Sequence, residues 1–344
     1  MRNRISIVSI SRFIAWMMLS LTNNNSTNHE WPSKIYKSDT SQIQERELLG
    51  KILFYDPILS LDSSTSCASC HSPFNAFAHT DHALSHGIDN KIGFRNAPAL
   101  INLAYQPYFM WDGAINHLEM QSLAPMTNPD EMHESLSHVV NKLSQQFFYQ
   151  TLFKNAFNDS IITGAKMLKA LAAFMASIES KNAKYDVVMN GQATFSAQEN
   201  NGFKLFSNHC ASCHTPPLFT NYTFQNNGLL PDSLLKDVGR AKQTNNKKDS
   251  LLFKVPTLRN IEFTYPYMHD GRFKTLTDVM NHYTSNRNKN SLMNPKLTSV
   301  YSLTSNEKVD IIAFLLTLSD KQFLFDKRFS YPKQQIDSLR KNNP

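Results

Sequence analysis

Apolar residues recur at helical spacing through much of the chain. One stretch, Gly164 to Ser180, places its apolar side chains on a single helical face: Leu168, Leu171, Ala172, Met175 and Ile178. Capping boxes mark two further helix starts, Ser196–Glu199 and Thr304–Glu307, because a hydroxyl and a carboxylate at this spacing satisfy unpaired backbone N–H groups. No stretch alternates apolar and polar residues as an extended sheet would. The pattern predicts a mainly α fold with long loops.

Two parts of the chain repeat each other, which predicts two homologous domains from an internal duplication. The segment Gly50–Phe54 resembles Gly202–Phe206. A second block recurs at one constant offset, with Pro98, Leu100, Asn102, Met110, Asp112 and Gly113 matching Pro256, Leu258, Asn260, Met268, Asp270 and Gly271. We assign residues 41–190 to the N-terminal domain and 191–344 to the C-terminal domain, with an insertion in the second within Phe219–Ser250.

The most specific feature is a pentapeptide, CASCH, that occurs twice, as Cys67–His71 and Cys210–His214. In CxxCH sequences the two cysteines form thioether bonds to a c-type haem, and the histidine becomes the proximal ligand of the iron. The motifs use every cysteine of the chain, so the predicted haem-binding residues are Cys67, Cys70, His71, Cys210, Cys213 and His214. A zinc site built from both CxxC pairs is the alternative, but it leaves the two histidines without a role. We therefore predict two covalently bound haem c groups.

Composition and charge indicate the class of protein, its location and the partners to expect. A chain of 344 residues with 41% hydrophobic and 18% charged residues is typical of a globular protein. Residues 1–22 combine Arg2 and Arg4 with the apolar run Phe13–Leu21, which predicts a signal peptide, with an uncleaved anchor as the alternative. Because c-type haem is attached outside the cytoplasm, we expect a periplasmic location. Haem propionates would offset much of the formal charge of +7, so no nucleic-acid partner is expected.

A set of short blocks between Leu48 and Leu318 resembles the bacterial di-haem cytochrome c peroxidase family and its MauG-like branch. The blocks are LGKILF at 49–54, both CASCH motifs, RNAP at 95–98, WDG at 111–113, EM at 131–132 and TYPYMHDG at 264–271. The resemblance implies that hydrogen peroxide is reduced to water at the N-terminal haem. It also implies that electrons from a small redox protein, such as a cytochrome c, arrive through the C-terminal haem. A homodimer is compatible with it.

The resemblance also assigns catalytic residues by position. Glu131 and Gln121 match the family's distal glutamate and glutamine, on the peroxide side of the haem held by His71. A carboxylate in a partly dry pocket can carry a proton between the two peroxide oxygens, because burial raises its pKa toward the working pH. Trp111 stands where the repeat has His269, and it matches the tryptophan between the two haems. Without the resemblance, Glu131 would be an acid at a helix start and Trp111 a core residue.

Further metal ligands are implied by the same resemblance. A calcium ion between the haems would be bound by the side chain of Asn96 and the backbone carbonyls of Thr264 and Pro266. Tyr283 aligns with the distal ligand of the second haem, as in the MauG-like branch, and its rivals are Met280, His282 and Met293. A methionine thioether raises the potential of a haem, whereas a tyrosinate favours ferric iron and lowers it.

Ile88 is a departure from the family's common pattern. It stands where many members have a histidine that caps the peroxidatic haem, and the nearby candidates for that role are His79, His82 and His86. Because isoleucine cannot bind iron, we expect an open distal site at the first haem even in the oxidised protein. Two alternative functions stay open. One is a MauG-like enzyme that oxidises a protein side chain, and the other is a di-haem electron-transfer protein in which Glu131 has no role.

Overall fold

The computed structural model describes residues 30–284, 294, 297 and 303–342. Its helices are α1 (Ile43–Tyr55), α2 (Cys67–Cys70), α3 (Leu118–Gln121), α4 (Leu123–Thr127), α5 (Leu136–Ser144), α6 (Phe147–Phe157), α7 (Gly164–Ser177), α8 (Lys184–Met189), α9 (Ala197–His209), α10 (Ala241–Thr244), α11 (Leu276–Thr284), α12 (Ser305–Leu316), α13 (Lys321–Leu324) and α14 (Lys333–Asn342). One two-stranded antiparallel sheet joins β1 (Phe224–Gln225) to β2 (Phe253–Lys254). The mainly α prediction is confirmed.

Both predicted capping boxes are present and begin α9 and α12. In the first, the Ser196 hydroxyl accepts the Glu199 N–H, and the Glu199 carboxylate accepts the Ser196 N–H at 2.7 Å. Thr304 and Glu307 make the same reciprocal pair of hydrogen bonds. These boxes satisfy N–H groups that a helix start leaves without intrahelical partners.

The duplication is visible in how the helices pack. Helix α1 packs against α7 in the first half, and α9 packs against α12 in the second. At the centre of each pair is a glycine: a Cβ on Gly50 would lie 1.9 Å from the carbonyl oxygen of Ala170, and one on Gly202 would lie 1.9 Å from that of Asp310. Only a residue without a side chain permits so close an approach of two helix backbones.

Two apolar cores correspond to the two halves, but the chain crosses between them at its C-terminal end. Phe323, Phe329 and Ile336 belong to the core of the first half, where Phe323 and Phe329 pack against Phe77. The predicted division at 190/191 follows the sequence repeat. In the structure, however, α13 and α14 belong to the C-terminal half by sequence but pack on the N-terminal half, because their apolar side chains complete the first core.

The N-terminal segment also contacts both halves. The Trp31 ring lies 5.5 Å from the Tyr105 ring of the first half and 4.5 Å from the guanidinium carbon of Arg259 in the second. Arg259 is itself buried and paired with Asp186. The predicted signal peptide, residues 1–22, lies outside the described residues. Across the described ranges, no helix has both the length and the apolar character needed to cross a membrane.

Candidate functional site

The first CASCH motif forms the single turn α2, and His71 follows at its end. The Nδ1 atom of His71 lies 2.7 Å from the carbonyl oxygen of Phe77. Because a carbonyl only accepts, Nδ1 is the protonated nitrogen and Nε2 keeps the lone pair that iron requires. Burial lowers the pKa of His71 to about 4, so the ring is neutral at physiological pH.

The second motif repeats this arrangement at the end of α9. The Nδ1 atom of His214 lies 3.1 Å from the carbonyl oxygen of Phe219 and 3.2 Å from that of Pro256. Burial lowers the pKa of His214 to about 4 as well. Both histidines are therefore oriented by backbone carbonyls, which is the usual way of fixing the tautomer of a metal-binding imidazole.

A largely apolar cavity of about 280 Å³ extends from the second motif into the first half. It brings together ten of the predicted site residues: Asn96, Trp111, Gln121, Cys210, Cys213, His214, Thr264, Pro266, Met280 and Tyr283. Apolar walls, paired thiols and an imidazole with its Nε2 lone pair suit a covalently bound haem, so the residues present fit the predicted cofactor. Cys67, Cys70, His71 and Glu131 are not part of this lining.

Glu131 lies on the loop after α4, beside the first motif. Burial raises the pKa of its carboxyl group. The pKa of the Cys70 thiol is raised chiefly by burial and further by the charge of Glu131, which places the two groups near each other. The backbone N–H of Ile88 donates to the Glu131 carbonyl oxygen at 2.8 Å. Ile88, which stands at the position of the family's capping histidine, is therefore hydrogen-bonded to the loop that carries Glu131.

An ionic cluster around the buried Glu134 anchors that loop, and the sequence analysis missed it. The Glu134 side chain, which is buried, lies 2.8 Å from Nζ of Lys142 and 2.9 Å from Nδ1 of His138. Burial alone would raise the pKa of Glu134, but hydrogen bonds from Lys142, Ser135 and His138 lower it overall. The signal that could have identified the cluster is the helical spacing of His138 and Lys142 along α5 after an acidic residue.

The interface between the halves has a pseudo-twofold pattern of hydrogen bonds. Asn96 and Lys254 occupy equivalent positions of the repeat, as do Trp111 and His269. The Asn96 N–H donates to the His269 carbonyl oxygen at 2.7 Å, and the Lys254 N–H donates to the Trp111 carbonyl oxygen at 2.7 Å. The Trp111 indole Nε1 also donates to the Asn96 carbonyl oxygen at 2.9 Å. Trp111 is thus held by both halves.

Residues of the predicted insertion form ionic contacts with the first half and so add to the same interface. Arg95 of the first half lies 2.7 Å from Asp237 and 2.9 Å from Asp112. Arg240 donates to the Asp112 carbonyl oxygen and lies over the Phe224 ring at 3.8 Å. The insertion therefore packs on the first half rather than forming a separate loop.

The three predicted calcium residues all belong to the lining of the cavity. Asn96, Thr264 and Pro266 all line it, and the Asn96 amide nitrogen donates to the Ala83 carbonyl oxygen at 3.0 Å. That bond assigns the amide nitrogen and leaves Oδ1 as the oxygen atom of the side chain that could bind a cation. In the described part of the chain, no group of three or more His, Cys, Asp or Glu residues is arranged to hold a metal.

The candidates for the distal ligand of the second haem differ in whether they line the cavity. Tyr283 and Met280 line the cavity, together with Met268, which the sequence analysis did not consider. His282 is not part of the cavity lining, and its Nε2 lies 3.1 Å from the Asn227 carbonyl oxygen. Met293 lies outside the described residues.

The three histidines near Ile88 contact one another. His79 Nε2 lies 3.1 Å from His82 Nδ1, and the rings of His82 and His86 stack at 4.1 Å. Ile88 itself is only 3% exposed.

Comparisons with known proteins agree with this geometry. A family described as di-haem cytochrome c peroxidase matches residues 44–194, and one described as cytochrome c matches residues 199–319. The methylamine utilization protein MauG of Methylorubrum extorquens is 35% identical over 80% of this chain and 78% of that protein. The cytochrome c551 peroxidase of Nitrosomonas europaea is 33% identical over 85% of each.

A solved structure is also similar. A MauG-like protein associated with microbial copper homeostasis superimposes with a TM-score of 0.80 and 27% identity, over 89% of this chain and 98% of that one. The sequence relatives, the fold and the two haem-attachment motifs all agree. The chain therefore belongs to the di-haem cytochrome c peroxidase family.

Proposed function

We propose that this protein reduces hydrogen peroxide to water at the haem held by Cys67, Cys70 and His71, with electrons from a small donor such as a cytochrome c. The observation that carries the proposal is the position of Glu131, whose half-buried carboxyl group has a raised pKa and lies beside Cys70 of the first motif. Perturbed carboxyl groups of this kind are typical of general acid–base catalysts. An electron-transfer protein would not require one.

A haem held by Cys67, Cys70 and His71 would supply an iron atom able to coordinate peroxide and would pass on to it electrons received from the donor. Glu131 would take a proton from one peroxide oxygen and return it to the other, which leaves as water. With two electrons and two protons from outside, each peroxide gives two waters. Gln121 is buried and lines the cavity beside the second motif, whereas Glu131 lies beside the first, so a shared role of the two side chains at one peroxide stays a prediction. Trp111 supports electron transfer between the haems, because it is hydrogen-bonded to both halves.

A second candidate function is the MauG-like oxidation of a protein side chain. Tyr283 favours it, because it lines the cavity beside the second motif, and a tyrosinate ligand would stabilise ferric iron. Ile88 also favours it, because its buried side chain cannot cap the first haem. Both features favour a first haem that reacts with peroxide without prior reduction.

The spectrum of the purified ferric protein, followed on peroxide addition, tests these functions. We expect a high-spin first haem that reacts at once, and rapid turnover with reduced cytochrome c identifies the peroxidase. Rapid reaction without turnover of cytochrome c would favour the MauG-like function. Two low-spin haems that do not react in either the ferric or the half-reduced protein would refute both enzyme proposals.

We also infer a calcium ion bound by Asn96, Thr264 and Pro266, supported by their shared position at the cavity, and metal analysis of the purified protein tests it. Export to the periplasm is supported by the two haem-attachment motifs, and haem content after periplasmic extraction tests it. The homodimer stays a prediction, which light scattering of the purified protein addresses.

A further inference from the structure

Lys254 is a cation in an unusual place. It is the second residue of β2 and lines the cavity between the two halves, where its Nζ donates to the Oε1 atom of Gln106 at 3.2 Å. The centre of the Tyr222 ring lies 5.8 Å from the same Nζ. Among the described residues, no carboxylate forms an ion pair with it. Burial, the one cause that acts on it, lowers the pKa of Lys254 to about 8.

An ammonium group that is partly withdrawn from water, as that of the half-buried Lys254 is, is stabilised when an anion compensates its charge. The Gln106 amide is neutral and provides one acceptor, whereas the ammonium group has three N–H donors. The backbone of Lys254 is part of the interface between the halves, because its N–H donates to the Trp111 carbonyl oxygen. The unbalanced charge therefore faces the same cavity that Cys210, Cys213 and His214 line.

The repeat makes this lysine specific to one side of the interface. Asn96 occupies the equivalent position of the first half and carries no charge. The cation is therefore not a feature that both halves need for folding, and its placement calls for a partner that occupies the cavity.

We propose that Lys254 is the cationic partner of a haem propionate carboxylate at the interface between the two halves. The two sources of that carboxylate are the haem attached through Cys210 and Cys213 and the haem attached through Cys67 and Cys70. In either case a positive charge beside the haem favours the more negative, ferrous state. Lys254 thereby raises the reduction potential of the haem that it contacts and orients that haem against Trp111.

The test is a spectroelectrochemical titration of the holo-protein, with both haems attached, in which each haem is followed by its own absorption bands. We expect Lys254→Gln to lower the potential of one haem and leave the other near its original value. The haem that shifts identifies the source of the propionate. Lys254→Arg, which keeps the charge, should restore most of the potential. Lys254→Met also removes the charge and has a side chain of similar length. It therefore provides a second measurement if the glutamine variant folds poorly.

Lys274→Gln is the matched control, because Lys274 is an exposed lysine of the same half and its loss removes the same charge. Mass spectrometry first establishes that every variant carries two haems, which separates this test from the proposed peroxidase activity. If neither Lys254→Gln nor Lys254→Met lowers either potential by more than Lys274→Gln does, the propionate contact is overturned. A peroxidase that fails to turn over but shows the expected shift would leave the contact standing.

Discussion

At the scale of single residues, the site depends on protonation states that burial sets. Burial lowers the pKa of His71 and His214, and backbone carbonyls hold their Nδ1–H groups, so each ring presents a neutral Nε2. Burial acts in the opposite direction on Glu131 and raises its pKa, because it disfavours whichever form is charged. One physical effect thus prepares both the metal ligands and the proposed proton carrier.

Replacing Glu131 by glutamine tests that role. The amide has nearly the same size but cannot carry a proton, so we expect both haems to be retained and peroxide cleavage to slow by ~10²–10⁴-fold. Stopped-flow spectra of the ferric protein with peroxide measure the rate. Asp130→Asn is the control, because Asp130 is an exposed acid on the same loop. Equal rates in the two variants would return Glu131 to the role of an acid at a helix start.

At the scale of elements, the first haem motif depends on distant parts of the chain. Phe77, whose carbonyl oxygen holds the His71 ring, packs its side chain against Phe323 and Phe329 of the C-terminal segment. Tyr55 of α1 donates its hydroxyl to the Phe329 carbonyl oxygen. The C-terminal segment therefore supports the proximal side of the first haem, although it follows the second haem domain in sequence.

We expect Phe323→Ala to destabilise the fold by about 3–5 kcal/mol, as for other buried phenylalanines, and to alter the spectrum of the first haem more than that of the second. Chemical denaturation and the absorption bands of each haem measure the two effects. Phe325→Ala is the control, because Phe325 lies in the same segment and is 68% exposed. Equal effects of the two substitutions would mean that the segment does not support Phe77.

At the scale of the whole molecule, the two halves form one interface through equivalent positions of the repeat. Asn96 bonds to His269, and Lys254 bonds to Trp111, at the same distance. The side chains at these positions differ between the halves, so a symmetrical backbone arrangement carries an asymmetrical set of groups. Trp111 is hydrogen-bonded to both halves, whereas the ring of its repeat equivalent His269 stacks on Phe253 at 3.8 Å.

Trp111→Ala should leave haem attachment and direct peroxide binding intact but slow electron transfer between the two irons, because a methyl group cannot replace the oxidisable indole. Single-turnover spectra of each haem measure the transfer, and a thermal melt measures stability. The alternative role is packing alone, for which the loss of a packed tryptophan side chain would cost about 3–5 kcal/mol. Trp111→Phe keeps most of the packing and separates the two roles. A large fall in Tm with unaltered transfer in the folded protein would refute the electron-transfer role.

Features that depend on a few neighbouring residues were accessible from the sequence. The mainly α class, the capping boxes at Ser196 and Thr304 and the two haem-attachment motifs were all predicted, and the repeat appears in the structure as the equivalent close contacts of Gly50 and Gly202. Such features are local or recur along the chain, because helix starts and thioether attachment need only residues within one helical turn of each other.

Only the tertiary structure decided which distant residues meet. It brought the C-terminal segment onto the first core, placed the uncompensated charge of Lys254 in the cavity, and paired Asn96 with His269 across the interface. It also showed that Glu134 anchors the loop of Glu131. These contacts join surfaces far apart in sequence, and their free energy comes from burial and pairing that no local pattern records. The sequence by itself therefore predicted the cofactor chemistry, whereas the packed structure determined how the two halves pack against each other.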